Sequence, residues 1–294
     1  VGSNLVTVFG TNLTADLASD SRLVTRGPAG SGAPLTVITN DVTTVGPFVE
    51  TYVLAGTNNA NVVGGMWVSN DAQATVHSFP AQPSWASPPI ALDRHVNILT
   101  VFATNALGQL STDQLEVDRA VPVGVTNYVA LDGGHVWPYL TWATASTNFA
   151  DAVNEAPAGN LVMVGPGTNW LTSPLLLDRA VHVQSASGAA HTVIMVLLSQ
   201  TASAFTLQDG ALDGLTIIAD PASAVPPDGG AVSLDNGGTL RNCSIAGFTV
   251  SNSGGGVYCI GGSVSNCVVL RNTAAWQGGG VFLAGGGNRV DFHG

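Results

Sequence analysis

The chain of 294 residues contains no lysine, and all eight of its basic residues are arginine. Charged residues make up only 9% of the sequence, against roughly a quarter in ordinary soluble domains. The net charge of −11 predicts that neither nucleic acid nor an anionic membrane surface is a partner. No apolar run approaches the ~20 residues that a membrane-spanning helix needs, so we expect no membrane span.

Glycine is abundant, with 36 residues, and threonine, serine, asparagine and valine are also common. This composition is typical of all-β structure with many tight turns. The length is sufficient for two domains, each with its own core. The few charges and the many small polar residues favour an extracellular or cell-surface location.

A segment near the start of the chain recurs 93 residues later: Asn4–Asn12 closely matches Asn97–Asn105. The second copy closes a complete domain, whereas no earlier strands precede the first copy. We therefore expect residues 1–27 to form an orphan β-hairpin, the last two strands of an Ig-like domain. The apolar side chains of its first strand are interface candidates: Leu5, Val6, Val8 and Phe9.

Three interpretations of this hairpin stay open. The earlier strands belong to a longer protein, or the hairpin adds an edge to its own domain, or it is donated to a neighbouring copy by strand addition. The last residues, around the interface candidate Phe292, end part-way round a predicted coil, and an uncapped coil exposes unpaired backbone groups. Head-to-tail association of copies would cover both ends and produce a filament.

Residues 28–120 contain short runs of alternating apolar and polar residues between turn signals. About seven such runs predict a β-sandwich, and we place Trp67 in its core. The run from Leu92 to Asn105 resembles the closing hairpin of bacterial Ig-like domains. This region has no cysteine, so the inter-sheet disulfide of antibody domains is absent.

A different repeat follows, with residues 121–147 as linker and entry and residues 148–294 as a parallel β-helix. Glycine-rich runs begin at Gly229, Gly254 and Gly278, a step of 24 to 25 residues, and such a period indicates stacked β-units. Within each run the residues between the inward positions face outward. The predicted interior positions are Val232, Leu234, Leu240, Cys243, Ile245, Val257, Cys259, Val264, Cys267, Val269, Val281 and Leu283.

The segment 148–156 predicts a short helix that caps the first coil. Thr147 or Asn148 suits the N-terminal cap, Pro157 ends the helix, and the apolar residues from Phe149 onward fall on one face. A cap is expected because the first coil of a solenoid otherwise exposes an unpaired edge.

Taken together, several motifs resemble right-handed parallel β-helix repeat proteins of bacterial surfaces, which are similar to polymorphic outer-membrane proteins. The matching segments are Trp137–Trp142, the helix, Leu212–Ile217, the repeated Asn-Cys pair and the Gly-Gly-Gly-Val runs. The resemblance implies an all-β fold, an Ig-like β-sandwich followed by a right-handed parallel β-helix with a short N-terminal capping helix. It implies a secreted or surface location more firmly than it implies an activity.

The three cysteines, Cys243, Cys259 and Cys267, occupy predicted core positions. Cys243 and Cys267 are expected one above the other on adjacent coils. They form either a ladder of buried thiols or a disulfide, and a metal or catalytic role is a third alternative. No histidine lies close in sequence to complete a zinc site.

The acidic residues do not recur at the coil step, so no carboxylate ladder is expected. Asp213 aligns with Arg241 on the next coil, and we interpret the two as a surface ion pair. Hydrolases of this fold need paired carboxylates, and lyases need a base with several carboxylates that bind Ca²⁺. We therefore expect no catalytic, cofactor-binding or metal-binding residues.

The outward aromatic residues Tyr258 and Phe282 occupy equivalent positions on consecutive coils, and such an apolar ladder marks an interface or a ligand surface. Asn12 and Asn242 begin glycosylation sequons. Our leading expectation is a non-catalytic extracellular structural protein, the repeating subunit of a fibre whose partners are copies of itself. The alternative is a carbohydrate-binding surface adhesin, with glycans as partners, and a third is a fragment of a polysaccharide lyase or hydrolase.

Overall fold

The computed structural model describes the backbone of residues 3–11, 17–25, 32–235, 237–284 and 289–291, and the side chains of residues 32–235 and 237–284. The chain divides into two compact units, Val1–Ala120 and Val121–Gly294. Within the described residues there are 31 strands, one short α-helix and one 3₁₀ turn, so the all-β prediction is confirmed.

The described residues of unit 1 contain twelve strands. They are β1 (Ser3–Thr11), β2 (Leu17–Thr25), β3 (Thr36–Ile38), β4 (Thr44–Val45), β5 (Thr51–Tyr52), β6 (Ala55–Asn58), β7 (Gly65–Asn70), β8 (Gln73–Pro80), β9 (Ser84–Ala86), β10 (Ile90–Ala91), β11 (His95–Thr104) and β12 (Leu110–Arg119). Apart from the hairpin β1–β2, they form a five-stranded sheet in the order β4-β12-β11-β7-β8, a three-stranded sheet β3-β6-β9 and the pair β10-β5.

The first hairpin has the same register as the last hairpin of unit 1. Asn4 pairs with Val24 in β1–β2, and Asn97 pairs with Val117 in β11–β12. These are equivalent positions of the sequence repeat, because the two copies align without a gap. The side chains of Leu5, Val6, Val8 and Phe9 lie outside the described residues, so their interface role stays a prediction.

The core of unit 1 lies between its mainly antiparallel sheets. Because successive side chains of a strand point to opposite faces, Met66 and Val68 of β7 face this core and are buried. Trp67 between them therefore points away from it, and our placement of Trp67 in the core is wrong. It stacks instead on Phe102 of β11, with ring centroids 5.3 Å apart. The core tryptophan is Trp85, which is buried.

Unit 2 is a right-handed parallel β-solenoid. Its strands are β13 (Thr126–Val129), β14 (Leu161–Val164), β15 (Gly167–Leu171), β16 (Leu175–Leu177), β17 (His182–Ser185), β18 (Thr192–Val196), β19 (Phe205–Leu207), β20 (Ala211–Asp213), β21 (Thr216–Ala219), β22 (Val232–Leu234), β23 (Thr239–Arg241), β24 (Ser244–Ala246), β25 (Thr249–Val250), β26 (Val257–Cys259), β27 (Ser263–Ser265), β28 (Val268–Leu270), β29 (Thr273–Ala274), β30 (Val281–Leu283) and β31 (Arg289–Asp291).

Three long parallel sheets form the faces of the solenoid. Their orders are β13-β14-β17-β20-β23-β27-β31, β15-β18-β21-β24-β28 and β16-β19-β22-β26-β30, with the short pair β25-β29 at a corner. The predicted interior is confirmed over the middle coils, where these side chains are at most 4% exposed: Val232, Leu234, Leu240, Cys243, Ile245, Val257, Cys259 and Val264.

The prediction of interior positions is less accurate at the last coils. Leu283 is 45% exposed, and Cys267, Val269 and Val281 are half-buried. The reason is their position, because β28 and β30 are the outermost strands of their sheets in the described part of the chain. A side chain on β28 or β30 has a neighbouring coil on one side only, whereas the equivalent side chains of the middle coils are covered on both sides.

The helix α1 (Phe149–Glu155) lies where the capping helix is predicted. The Asn148 side chain accepts a hydrogen bond from Ala150 N. Phe149 is buried, and its ring meets that of Phe205 edge-on, with ring centroids 6.1 Å apart. Arg179 donates to the carbonyl oxygens at the end of the helix, which otherwise lack partners. Neither this helix nor any other in the described ranges is long and apolar enough to cross a membrane.

Candidate functional site

A charged cluster lies on the outer face of the seven-stranded sheet, where β17, β20 and β23 stack. Gln184, Asp213 and Arg241 occupy one row of this face, and His182 stands in the adjacent row beside Ala211. The strands are in register, so the side chains of one row stand above one another. The predicted alignment of Asp213 with Arg241 is confirmed.

Asp213 is the buried centre of the cluster, with its side chain 8% exposed. Arg241 Nε donates to Oδ2 at 2.9 Å, and Asn242 Nδ2 donates to Oδ1 at 2.6 Å. The Arg241 side chain remains 44% exposed, so its charge faces solvent although its partner does not. Asp213 therefore orients Arg241, and a ligand would reach the guanidinium rather than the carboxylate.

His182 completes the cluster from two coils below. Arg241 Nη2 lies 3.2 Å from His182 Nε2, and because arginine only donates, Nε2 accepts and the ring proton is on Nδ1. Burial, followed by the charge of Arg241, lowers the pKa of His182 below 6.5, against the opposing effect of Asp213 at 3.6 Å. The imidazole is therefore neutral at neutral pH, and Nε2 can accept a proton once the hydrogen bond from Arg241 is released.

A groove of about 360 Å³ opens beside the cluster. His182, Asp209, Thr239 and Arg241 supply its polar lining, and glycines and alanines leave the space between them open. This site groove offers a cation, a carboxylate, a hydroxyl and a neutral imidazole to one ligand. His182 and Asp209 are its two groups that can transfer a proton.

Two other cavities in unit 2 are as large as the site groove or larger, but fewer titratable side chains line them. One of about 400 Å³ lies beside the loop at Asp220, and one of about 760 Å³ lies beside Trp142 and Asp132. Each is lined by one carboxylate and by no other titratable side chain of the described residues. Neither offers a pair of groups for proton transfer, so we place the candidate site at the site groove.

Asn242 and Asn266 form a short asparagine ladder beside the cluster. Asn266 Nδ2 donates to Asn242 Oδ1 at 2.7 Å, while Asn242 Nδ2 binds Asp213. Both residues have positive φ, which asparagine tolerates better than most residues. Attachment of a glycan to Asn242 Nδ2 would replace one of the two hydrogens of the amide that binds Asp213. The other predicted sequon, Asn12, lies outside the described residues.

Tyr258 and Phe282 face outward, as the repeat predicts. Their rings stack with centroids 5.3 Å apart and planes at 24°, and Trp276 nearby in sequence is 80% exposed. The interface role of the Tyr258–Phe282 ladder stays a prediction. Phe292, the third aromatic candidate, lies outside the described residues.

No disulfide joins Cys243, Cys259 and Cys267, and the first two are buried. Of the alternatives that the sequence left open, the structure contains a ladder of thiols. Within the side chains that the structure describes, no group of three or more histidine, cysteine, aspartate or glutamate residues is arranged to hold a metal ion.

No family model and no curated protein matches the chain. Among the solved structures that match is the catalytic domain of a GH87 alpha-1,3-glucanase in complex with nigerose, 12% identical, with a TM-score of 0.29. The match covers 87% of this chain and 52% of that chain, so the chain spans about half the length of its structural relative. At this identity the likeness concerns the β-helical fold alone.

The match to the catalytic domain of a glucanase stands against the predictions of a non-catalytic fibre subunit and of a chain without enzymatic activity, and neither prediction is kept. The acidic residues of the sequence do not repeat at the coil step. The charged cluster instead combines different residue types from three coils, with Asp213 and Arg241 in one row and His182 in the adjacent row, 59 residues before Arg241. The fibre prediction also relied on residues 1–27 and Phe292, whose side chains lie outside the described residues.

Proposed function

We propose that unit 2 is a polysaccharide-cleaving β-helix and that the site groove holds the sugar chain. One observation carries this proposal. A neutral imidazole, His182, and a carboxylate, Asp209, line the same groove as Arg241, whose position is held by a buried carboxylate.

The shape of unit 2 supports a polymeric ligand. A solenoid presents its outer side chains in rows along a long face, and such surfaces suit extended ligands. The polar groups of the site groove can bind sugar hydroxyls, and its glycines let a sugar ring approach the backbone. A polysaccharide can therefore continue from the groove along the adjacent coils.

The chemistry of the groove supports cleavage. Hydrolysis needs an acid to protonate the glycosidic oxygen and a second group to activate water, and Asp209 and His182 are the available pair. Elimination from an acidic sugar needs a base to remove a proton and a cation to stabilise the resulting negative charge. Neutral His182 and Arg241 would perform those roles.

The first test is incubation with a panel of neutral and acidic polysaccharides, followed by measurement of new reducing ends. We expect release from at least one polymer, and absorbance of an unsaturated product in the near ultraviolet would identify elimination. Saturated products would identify hydrolysis. A panel that includes α- and β-glucans, uronans and sulfated polymers and gives neither product would contradict the proposal.

A second candidate function is carbohydrate binding without cleavage, favoured by the outward Tyr258–Phe282 stack. Aromatic faces at a surface offer a stacking partner to sugar rings. Binding on a glycan array that is lost in Tyr258→Ala, while no polymer is cleaved, would favour this candidate. Unchanged binding in Tyr258→Ala would exclude the stack as its site.

The Ig-like fold of unit 1 and the cellular location of the protein are also proposals. The mainly antiparallel sheets and buried core of unit 1 support an Ig-like β-sandwich, and the composition supports an extracellular or cell-surface protein. Antibody labelling of intact cells that produce the protein tests the location. Labelling only after the cells are permeabilised would contradict it.

A further inference from the structure

Cys243 and Cys267 occupy equivalent positions on two adjacent coils. The flanking residues are paired in register, Arg241 with Ser265 and Ser244 with Val268. Val268 N donates to Cys243 O at 2.8 Å, which fixes the separation of the two coils at this corner. Parallel neighbours stand ~4.8 Å apart, within the range of about 4.4–6.8 Å between the Cα atoms of disulfides.

The two thiols differ in their surroundings. Cys243 is 2% exposed, and its Sγ lies 3.1 Å from Arg241 O. Cys267 is half-buried, and its Sγ lies 3.2 Å from Ser265 O. A hydrogen bond between the thiols, followed by burial, raises the pKa of Cys243, and the same bond lowers the pKa of Cys267 against the effect of burial. Cys267 is thus the more accessible and the more acidic thiol.

We propose that Cys243 and Cys267 form a disulfide between adjacent coils when the protein meets a small-molecule disulfide. The observation that carries the proposal is the in-register stacking of two thiols on adjacent coils, one of them partly exposed. Cys259 lies in β26 of the sheet β16-β19-β22-β26-β30, away from the corner that carries Cys243 and Cys267, with its side chain buried in the solenoid core. It has no place in the link.

The reaction is a thiol–disulfide exchange in two steps. The Cys267 thiolate attacks one sulfur of the small disulfide, a mixed disulfide forms, and one molecule of the small thiol leaves. Cys243 then loses its proton to solvent and attacks Cys267 Sγ, and the second small thiol leaves. The two protein thiols are oxidised, and the small disulfide is reduced to two thiols.

The link would close a loop of 24 residues, the step that separates the stacked Asn242 and Asn266. Cross-linking a loop of this size stabilises a fold chiefly by restricting its unfolded chain. It would also fix the coil that carries Asn242, whose amide binds Asp213 beneath the site groove.

The test uses the full chain and oxidised glutathione. After reaction, remaining thiols are alkylated under denaturing conditions, and the protein is digested without reduction for mass spectrometry. We expect the Cys243 and Cys267 peptides to be joined, a mass lower by two hydrogen atoms, and Cys259 alkylated. The midpoint temperature of thermal unfolding should rise by roughly 5 °C after oxidation. It should return to its original value after treatment with dithiothreitol.

Matched variants assign the link. Cys259→Ser should retain it, and Cys267→Ser should abolish both the link and the shift in unfolding temperature. A stable glutathione adduct on Cys267, a link that includes Cys259, or three unmodified thiols would each overturn the proposal. These results are independent of polysaccharide cleavage, so the outcome is separate from that of the proposed function.

Discussion

Asp213 is the residue on which the geometry of the candidate site depends. Its carboxylate lies on the outer face of the sheet, yet Arg241 and Asn242 cover it so completely that little of it meets solvent. A charge in such a place is stable only when its hydrogen-bond partners are present. Asp213 is thus a positioning residue for Arg241.

Replacing this carboxylate should lower stability. Asp213→Asn keeps the shape but removes the charge, and it places an amide group where Arg241 and Asn242 both donate. We expect a loss of about 1–3 kcal/mol in the free energy of unfolding of unit 2, measured by urea titration. Asp132→Asn, at an exposed carboxylate, serves as the control and should change stability by less than about 0.5 kcal/mol. Equal effects of the two substitutions would contradict a structural role for Asp213.

His182 gives the site a definite pH dependence. Its folded pKa is below 6.5, mainly because of burial and then because of Arg241. Above the ordinary histidine pKa of 6.5, the ring is neutral in both the folded and the unfolded protein, and His182 makes its full contribution to stability. As the pH falls below that value the unfolded state binds the proton first, so this contribution decreases.

An NMR titration of the His182 ring tests this argument. Arg241→Gln removes a nearby positive charge and should raise the pKa of His182, whereas Arg94→Gln in unit 1 should leave it unchanged. The loss of unfolding free energy between about pH 8 and about pH 5 should be smaller in His182→Gln than in the wild type. A pKa that falls in Arg241→Gln would contradict the assigned geometry.

At the scale of elements, the glycine-rich corners hold consecutive coils together. A Cβ on Gly255 would lie 2.1 Å from Gly279 O, whereas a Cβ on Gly280 would meet its nearest atom at an ordinary 3.5 Å. Neither position has a positive φ, so the comparison isolates close approach from backbone conformation. The glycine-rich runs thus reflect the contact between coils.

This contrast provides a matched pair of substitutions. Gly255→Ala should force the coils apart and lower the free energy of unfolding by about 1–3 kcal/mol, the usual cost of overpacking. Gly280→Ala should cost less than about 1 kcal/mol. Urea unfolding followed by circular dichroism compares them, and a larger loss for Gly280→Ala would be inconsistent with this packing.

The capping helix should stabilise unit 2 through one side chain. Phe149 is buried against Phe205, so Phe149→Ala should lower the free energy of unfolding by about 3–5 kcal/mol. Asn154→Ala on the exposed side of the same helix should change it by less than about 0.5 kcal/mol. Thermal unfolding of both variants checks the difference, and similar midpoints would show that the helix does not seal the solenoid.

The sequence predicts elements that repeat better than sites that do not. The shared register of the two hairpins and the interior of the middle coils follow from exact sequence steps, because equivalent backbone positions have equivalent neighbours. The sequence misplaces Trp67 because Met66 and Val68 face the core. Successive side chains of a strand point to opposite faces, so Trp67 between them faces away from it. His182 was missed because the coils before β23 are 28 and 29 residues long, and the regular step of 24 begins only after it.

At the scale of the whole molecule, the scarcity of charge makes the charged cluster stand out. The chain has eight basic residues in all, and one of them stands on the face of the solenoid beside a buried carboxylate, a histidine and a groove. The net charge of −11 would repel an anionic polymer at long range. We therefore expect neutral polysaccharides to be bound more readily at low ionic strength than acidic ones.

The most direct test of the account is the rate of polysaccharide cleavage in variants of the site groove. With the polymer identified by the panel, kcat/KM should fall at least about 100-fold in His182→Gln and in Asp209→Asn, since each removes a proton-transfer group. Asp132→Asn, beside a different cavity, should retain the rate of the wild type. Undiminished cleavage in both groove variants would contradict the assignment of the catalytic site to this groove.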